Sequence, residues 1–317
     1  MSDSPVILCP GQGAQAVGMA KAWAGASPEA AAIFSEADRI LGDSLGSPIS
    51  TLCFEGPADR LNQTDVSQPA IFVASMASLA ALCAAWGVTP AELRPAAAAG
   101  LSLGEYTALC AAGALSFADG LRLVTLRGRA MQDAAEATPS GMVALIGADE
   151  AQAAELCDRA RGDGILVPAN FNAPGQVVVS GSASACDRAE TVATEMGLRA
   201  ARLAVAGAFH SPLIASAADR LADALASTEI REPRCPVLAN VTGLPHAAAP
   251  GTTMPQSIRH RLVEQLTSPV RWAQDCSWLA KACPENDWHE LAPGKTLAGL
   301  MRRIERNIKV QTHDEPS

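Results

Sequence analysis

A chain of 317 residues, 49% of them hydrophobic, can bury a sizeable core as one large domain with an insertion or as two domains. Its net charge of -9 and pI near 5.1 exclude the basic face that neutralises nucleic-acid phosphates, so no nucleic-acid partner is expected. The nine cysteines are odd in number, scattered and never spaced C-x-x-C, which excludes a disulfide framework or a zinc site and suits reduced thiols in the cytoplasm.

The N-terminus has no basic region and too short an apolar stretch for a signal peptide, so the chain is expected to open directly on a strand, Val6–Cys9. The loop "PGQGAQAVG" follows. Its Gly11-x-Gly13-x-x-Ala16 spacing meets only the relaxed dinucleotide fingerprint, and no acidic residue ends a second strand about twenty residues on. Helices are expected over 28–41 and 70–86. The stretch 70–88 carries no charge and is long enough to cross a bilayer, but Pro69 suits a first helical turn, Gly87 suits a stop, and neither flank has a basic cluster. A helix buried on all sides is the expectation, with no membrane contact. A short strand through Ala96–Ala99 and a helix from about Glu105 complete the first α/β stretch.

Residues 141–205 change character. A strand at 141–146, a helix in "DEAQAAELCDRAR", strands "ILVPANFN" and "QVVVSG" around Pro174-Gly175, a helix in "SASACDRAETVATEMG" and a strand "RAARLAV" give the order β-α-β-β-α-β. That is the ferredoxin-like pattern. A helix from Ser211-Pro212 through Leu225, a strand "CPVLANV", a helix over 255–266, a strand "WHELA" and a helix over 296–307 then resume the first stretch. The expected architecture is α/β, with a discontinuous large subdomain (1–137 and 206–317) and a ferredoxin-like small subdomain (138–205).

Residues 100–104, "GLSLG", have the spacing of a nucleophile elbow, in which flanking glycines let a strand-to-helix turn present a strained serine. A plain turn reads the same five residues, so Ser102 needs a base to be a nucleophile. Five histidines are available. His313 falls in a polar tail, His246 in a Pro-containing loop, His260 on the basic stretch "IRHRL", and His289 inside a strand as a core histidine. His210, in "AVAGAFHSP", ends a strand-like run before a helix start, which places it at the carboxyl edge of a sheet, where open α/β folds build sites. No Asp or Glu completes a triad, so a dyad oriented by a main-chain carbonyl is expected. "GKT" at 294–296 would be a P-loop only with glycine at 289, where His289 stands.

On the helix opened by Ser116 and Asp119, read as a capping box, Arg127 has Leu123, Val124, Ala130 and Met131 at three and four residues' distance. Arg129 has Thr125, Gln132 and Asp133. Arg127 therefore faces the apolar side, where it needs an anion: a substrate carboxylate, or a structural Asp or Glu.

The loop "PGQGAQ", the elbow "GLSLGEYTAL", the helix "LRGRAMQ", the stretch "NFNAPGQVVVSG", the segment "GAFHSP", the stretch "EQLTSPVRW" and the terminal "APGK" together resemble the malonyl-CoA:acyl carrier protein transacylase family of fatty acid synthesis and the related polyketide acyltransferase domains. The resemblance runs from Val6 to about Arg306 and implies an α/β-hydrolase-like large subdomain. It implies an acylated nucleophile at Ser102, a base at His210, an oxyanion hole of the Gln12 and Leu103 N–H groups, and a malonyl carboxylate on Arg127. Gln265 would orient His210 through its main-chain carbonyl. Phe209 matches the malonyl-selecting form, and Asn170 and Asn172 match a cleft-facing loop of the small subdomain. The implied substrates are malonyl-CoA and an acyl carrier protein, docked through Arg302, Arg303 and Arg306 or Arg129, with no cofactor and no metal. Leu101 stands where the family usually has histidine. A polyketide acyltransferase acting in trans shares every motif, and a serine esterase shares the elbow but has no need of Arg127.

Overall fold

The computed structural model describes residues 4–316, so the outermost ends of the expected large subdomain, residues 1–3 and 317, lie outside the described residues. Among the described residues there are ten strands: β1 (Val6–Cys9), β2 (Ala97–Gly100), β3 (Ser140–Ile146), β4 (Leu166–Ala173), β5 (Gln176–Ser182), β6 (Arg199–Arg202), β7 (Leu238–Ala239), β8 (Leu244–Pro245), β9 (Trp288–Leu291) and β10 (Val310–His313).

The first sheet has the order β10-β9-β1-β2 with every pairing parallel. All four residues of β1 are buried, as a central parallel strand covered on both faces requires. Its partner β2 is Ala-Ala-Ala-Gly, poor strand formers that hold because the small side chains let helices close over both faces. Ala98 packs into one core cluster and Ala97 and Ala99 into another.

Helix Thr64–Ala85 is apolar enough to span a membrane, yet every residue from Thr64 to Cys83 is buried within the protein. It is a core helix packed against helices Pro28–Leu41 and Phe117–Ala137. All nine cysteines are buried free thiols.

The second sheet is antiparallel with the order β4-β5-β3-β6 and is assembled wholly from residues 140–202. Helices Glu150–Ala160 and Ala183–Glu195 cover one face and share with it a separate apolar cluster built on Val143, Leu145, Leu156 and Val179. The main chain of β4 meets the rest of the protein at Asn170 and Phe171, which bridge to Val270.

Several elements depart from the sequence reading. The strand "RAARLAV" is regular only over Arg199–Arg202; beyond it a single bond from Leu203 N–H to the Met142 carbonyl still ties the chain to β3 before it turns away. "CPVLANV" contributes only a bridge from Val237 to Ala98 and the two-residue β7. Residues 310–313, expected as polar tail, form β10 on the edge of the first sheet, where His313 stacks on His289 with their ring nitrogens 2.8 Å apart. Helices Ile49–Glu55 and Trp272–Ala282 were not expected. At helix Phe117–Ala137 the Ser116 hydroxyl accepts from Asp119 N–H but donates to the Asp119 carboxylate, so the cap is one-sided rather than a full box.

Candidate active site

Ser102 stands two residues past the end of β2 and adopts φ 54°, the left-handed region that a side chain strains to occupy. Two glycines make that turn possible. A Cβ on Gly100 would run into the backbone of Gly104 and Glu105, and a Cβ on Gly104 would run into the carbonyls of Cys9 and Pro10. The loop after β1 comes equally close, since a Cβ on Gly11 would strike the Leu101 carbonyl. Gly104→Ala is expected to cost at least about 1–3 kcal/mol through overpacking, read as a lowered thermal midpoint.

Ser102 Oγ lies 2.8 Å from His210 Nε2, and His210 Nδ1 lies 2.8 Å from the Gln265 main-chain oxygen. A carbonyl accepts only, so Nδ1 carries the proton and Nε2 is left to accept from the hydroxyl. Burial and the nearby Arg127 charge pull His210 down to about 4, which leaves it neutral at pH 7. The sequence route to His210 was wrong in one respect. It does not end a strand of the first sheet: β6 belongs to the second sheet and stops eight residues earlier, and His210 lies in a connecting segment at φ 57°.

Arg127 is fully buried and meets neutral partners. Its Nη1 donates to Gln68 Oε1 at 2.6 Å, and its Nη2 donates to Ser102 Oγ and to Gln265 Oε1, each at 3.0 Å. Among the described residues no carboxylate lies within ion-pair distance of it, and its Nε has no partner. Arg129, two residues on, is exposed and paired with Asp133 and Asp65. Of the two readings of Arg127, the structural ion pair is not made.

A cavity of about 580 Å³ opens onto Ser102 and His210 and is lined by residues from both sheets' surroundings. Gln12, Phe209, Asn170 and Asn172 form part of its wall, with Leu101, Met131 and Leu300. Asn170 and Asn172 are placed on strand β4 rather than on a loop, and the buried Asn172 Oδ1 has no partner. Leu103, Gln265 and Arg127 lie behind the wall, with Arg127 reached past Ser102. Among the described residues the N–H groups of Gln12 and Leu103 meet no acceptor, so both remain able to donate.

Beneath the nucleophile is a buried polar cluster that sequence reasoning missed. Asn240 Oδ1 accepts the Ser102 N–H at 2.7 Å, and its Nδ2 donates to the Gly100 carbonyl and to Asp275 Oδ2. Glu105 Oε2 accepts from Asn240 N and Gln265 Nε2, while Oε1 pairs with His246 Nε2 at 2.9 Å. Burial and the nearby Glu105 push Asp275 well above the usual carboxylate range. The available signals were long polar side chains within largely small and apolar stretches: Glu105 and Gln68 on helices, and Asn240 ending an apolar strand run.

A strained serine hydrogen-bonded to a neutral histidine, beside two unengaged backbone donors and a buried guanidinium, is the equipment of a serine acyl-transfer enzyme. The chain belongs to the acyl transferase domain family, which it matches over residues 6–304. It is 39% identical over 312 residues to the malonyl CoA-acyl carrier protein transacylase of Escherichia coli (strain K12), covering 98% of this chain and 96% of the relative. The malonyl-CoA:acyl carrier protein transacylase structure from Xanthomonas oryzae pv. oryzae is 39% identical, with a TM-score of 0.89 over 100% of this chain and 96% of that one. A malonyl-transacylase solved in complex with a type II polyketide acyl-carrier protein is 34% identical, with a TM-score of 0.87 over 99% of this chain and 96% of that one.

Proposed function

We infer that the chain transfers a malonyl group from malonyl-CoA to the phosphopantetheine thiol of an acyl carrier protein, through a malonyl-Ser102 intermediate that supplies fatty acid synthesis. The observation that carries this reading is Arg127, a buried guanidinium without a carboxylate partner, bonded to the hydroxyl that would be acylated.

Ser102 Oγ attacks the thioester carbonyl while His210 Nε2 takes its proton. The N–H groups of Gln12 and Leu103 receive the developing oxyanion, the C–S bond breaks, and His210 returns the proton to the departing coenzyme A thiolate. The carrier thiol then attacks the malonyl ester, gives its proton to His210, and Ser102 recovers its hydroxyl. Gln265 holds the histidine tautomer, Arg127 the malonyl carboxylate, and Phe209, Asn170 and Asn172 the walls along which acyl group and pantetheine pass. The exchange is redox-neutral acyl transfer, so no cofactor or metal is proposed. Leu101 brings no polar group to the step before the nucleophile.

The architecture proposed is an α/β-hydrolase-like large subdomain, 1–137 and 206–317, with a ferredoxin-like small subdomain, 138–205; the strand order β4-β5-β3-β6 supports the latter. Exposed Arg302 and Arg306, with Arg303 anchored on Gln176 and Pro174, ring the helix whose first turn lines the cavity and suit an acidic carrier, whereas Arg129 is engaged by its aspartates. Nine unpaired thiols suit the cytoplasm. A trans-acting polyketide acyltransferase is the second reading. It is favoured by 40% identity over 299 residues to a polyketide biosynthesis protein of Burkholderia thailandensis, of which this chain spans 24%. A serine esterase would leave Arg127 without use.

Intact mass spectrometry after brief exposure to malonyl-CoA is expected to find one malonyl group, mapped to Ser102 and removed by a phosphopantetheinylated carrier protein. An unmodified Ser102 would sink the reading, and release to water alone would make the chain an esterase.

A further inference from the structure

The bonds of Arg127 raise a question about the resting enzyme. A guanidinium grips a carboxylate through one of two edges, Nε with Nη2 or Nη1 with Nη2, so both forks use Nη2. Here Nη2 already donates twice, to Ser102 Oγ and to Gln265 Oε1. The buried Nε has no partner, which marks the Nε–Nη2 edge as the side prepared for an anion. A carboxylate seated there must take one of the two Nη2 bonds.

Gln265 is the fixed partner. Its amide nitrogen is clamped by the Ser102 carbonyl at 3.0 Å and by Glu105 Oε2 at 2.8 Å, so its oxygen cannot turn away without breaking both. Ser102 Oγ is the partner free to let go. It keeps its bond to His210 after losing the guanidinium, and the bond lost is a charge-assisted one that draws electron density from the attacking oxygen and lowers its nucleophilicity. Arg127 also lies behind the cavity wall, so an acyl group reaches it only past this oxygen.

We propose that Arg127 latches the nucleophile: its Nη2 proton occupies Ser102 Oγ until an acyl donor bearing a carboxylate takes that proton and frees the oxygen. This rests on the malonyl-transfer reading and deepens it. Selectivity then arises twice, once when the carboxylate binds and again because an acetyl donor meets a nucleophile still held.

The latch makes a prediction opposite in sign to that of a guanidinium which merely activates the serine. The probe is phenylmethanesulfonyl fluoride, a neutral reagent without a carboxylate: Oγ bonds to sulfur, the S–F bond breaks, the proton goes to His210 and fluoride leaves. Arg127→Gln is expected to speed this modification of Ser102 about tenfold, the worth of one charge-assisted hydrogen bond. Sodium formate, a carboxylate small enough to sit beside the reagent, is expected to speed it in the unaltered protein relative to chloride at equal ionic strength. An equal or slower rate in a folded Arg127→Gln overturns the latch. If that variant does not fold, failure of formate to accelerate the unaltered protein overturns it instead. Malonyl-Ser102 formation, scored separately by mass, tells failure of the latch from failure of the transfer reading.

Discussion

His210→Ala is expected to lower the rate at which malonyl-CoA acylates Ser102 by about 10²- to 10⁴-fold, the usual worth of a positioned general base. The fold should survive, since the His210 ring is held by Ser102 Oγ and by main-chain groups of the Gln265–Ser268 segment rather than by a packed side-chain network. Stopped-flow or quenched acylation followed by mass reads the rate, and circular dichroism checks the fold. Full activity in the variant would mean that another group takes the proton. The unaltered enzyme adds a pH signature. Burial and Arg127 depress His210 to about 4, so the base stays neutral as pH falls from 7 and is lost only as pH approaches that value. Acylation should therefore hold level to about pH 5. The sign for stability follows the same shift: His210 is neutral in the folded state and gains a proton near its ordinary value when unfolded. Its contribution is intact above about 6.5 and is lost progressively as pH falls toward 4.

Arg127→Ala is expected to reverse the acyl preference. Removing the guanidinium costs a malonyl donor its carboxylate partner, about 3 kcal/mol or on the order of a hundredfold, while an acetyl donor loses nothing. Competition between malonyl-CoA and acetyl-CoA, read as the ratio of the two acyl-serines, measures this directly. An unchanged ratio would remove Arg127 from substrate recognition. The truncation also leaves Gln68 Oε1 and Gln265 Oε1 without their donor in a buried place, so a lowered thermal midpoint should accompany the switch.

What the sequence disclosed follows from the range of the forces involved. The elbow is local: two glycines, a serine between them and a strand before it are enough, and the close approaches at Gly100 and Gly104 explain why no larger residue could stand there. Arg127 was legible because helical spacing alone separates its apolar neighbours from the polar ones of Arg129. His210 was found for a reason that does not hold, since the run before it belongs to a different sheet, and only the tertiary fold carries it to Ser102. The cluster of Asn240, Glu105, His246 and Asp275 joins positions 135 to 141 residues apart in its Glu105 bonds, and no local pattern encodes such a meeting. β10 was missed because an edge strand with two exposed residues reads as polar tail.

The second sheet has its own apolar cluster, and its two covering helices pack on it rather than on the first sheet. Ser102, His210, Arg127 and Gln265 all lie outside residues 140–202, whereas Asn170 and Asn172 lie within them. A sheet whose helix-covered face has its own core, while Met142, Ala169 and Val178 on its other face join the main cluster, can still shift as a cooperative unit. The reacting groups thus stand on ground that need not move when the opposite wall of the cavity does. The long pantetheine arm of an incoming thioester could be admitted and released by that wall while the hydroxyl, imidazole and guanidinium keep their distances, which separates the traffic of substrates from the chemistry performed on them.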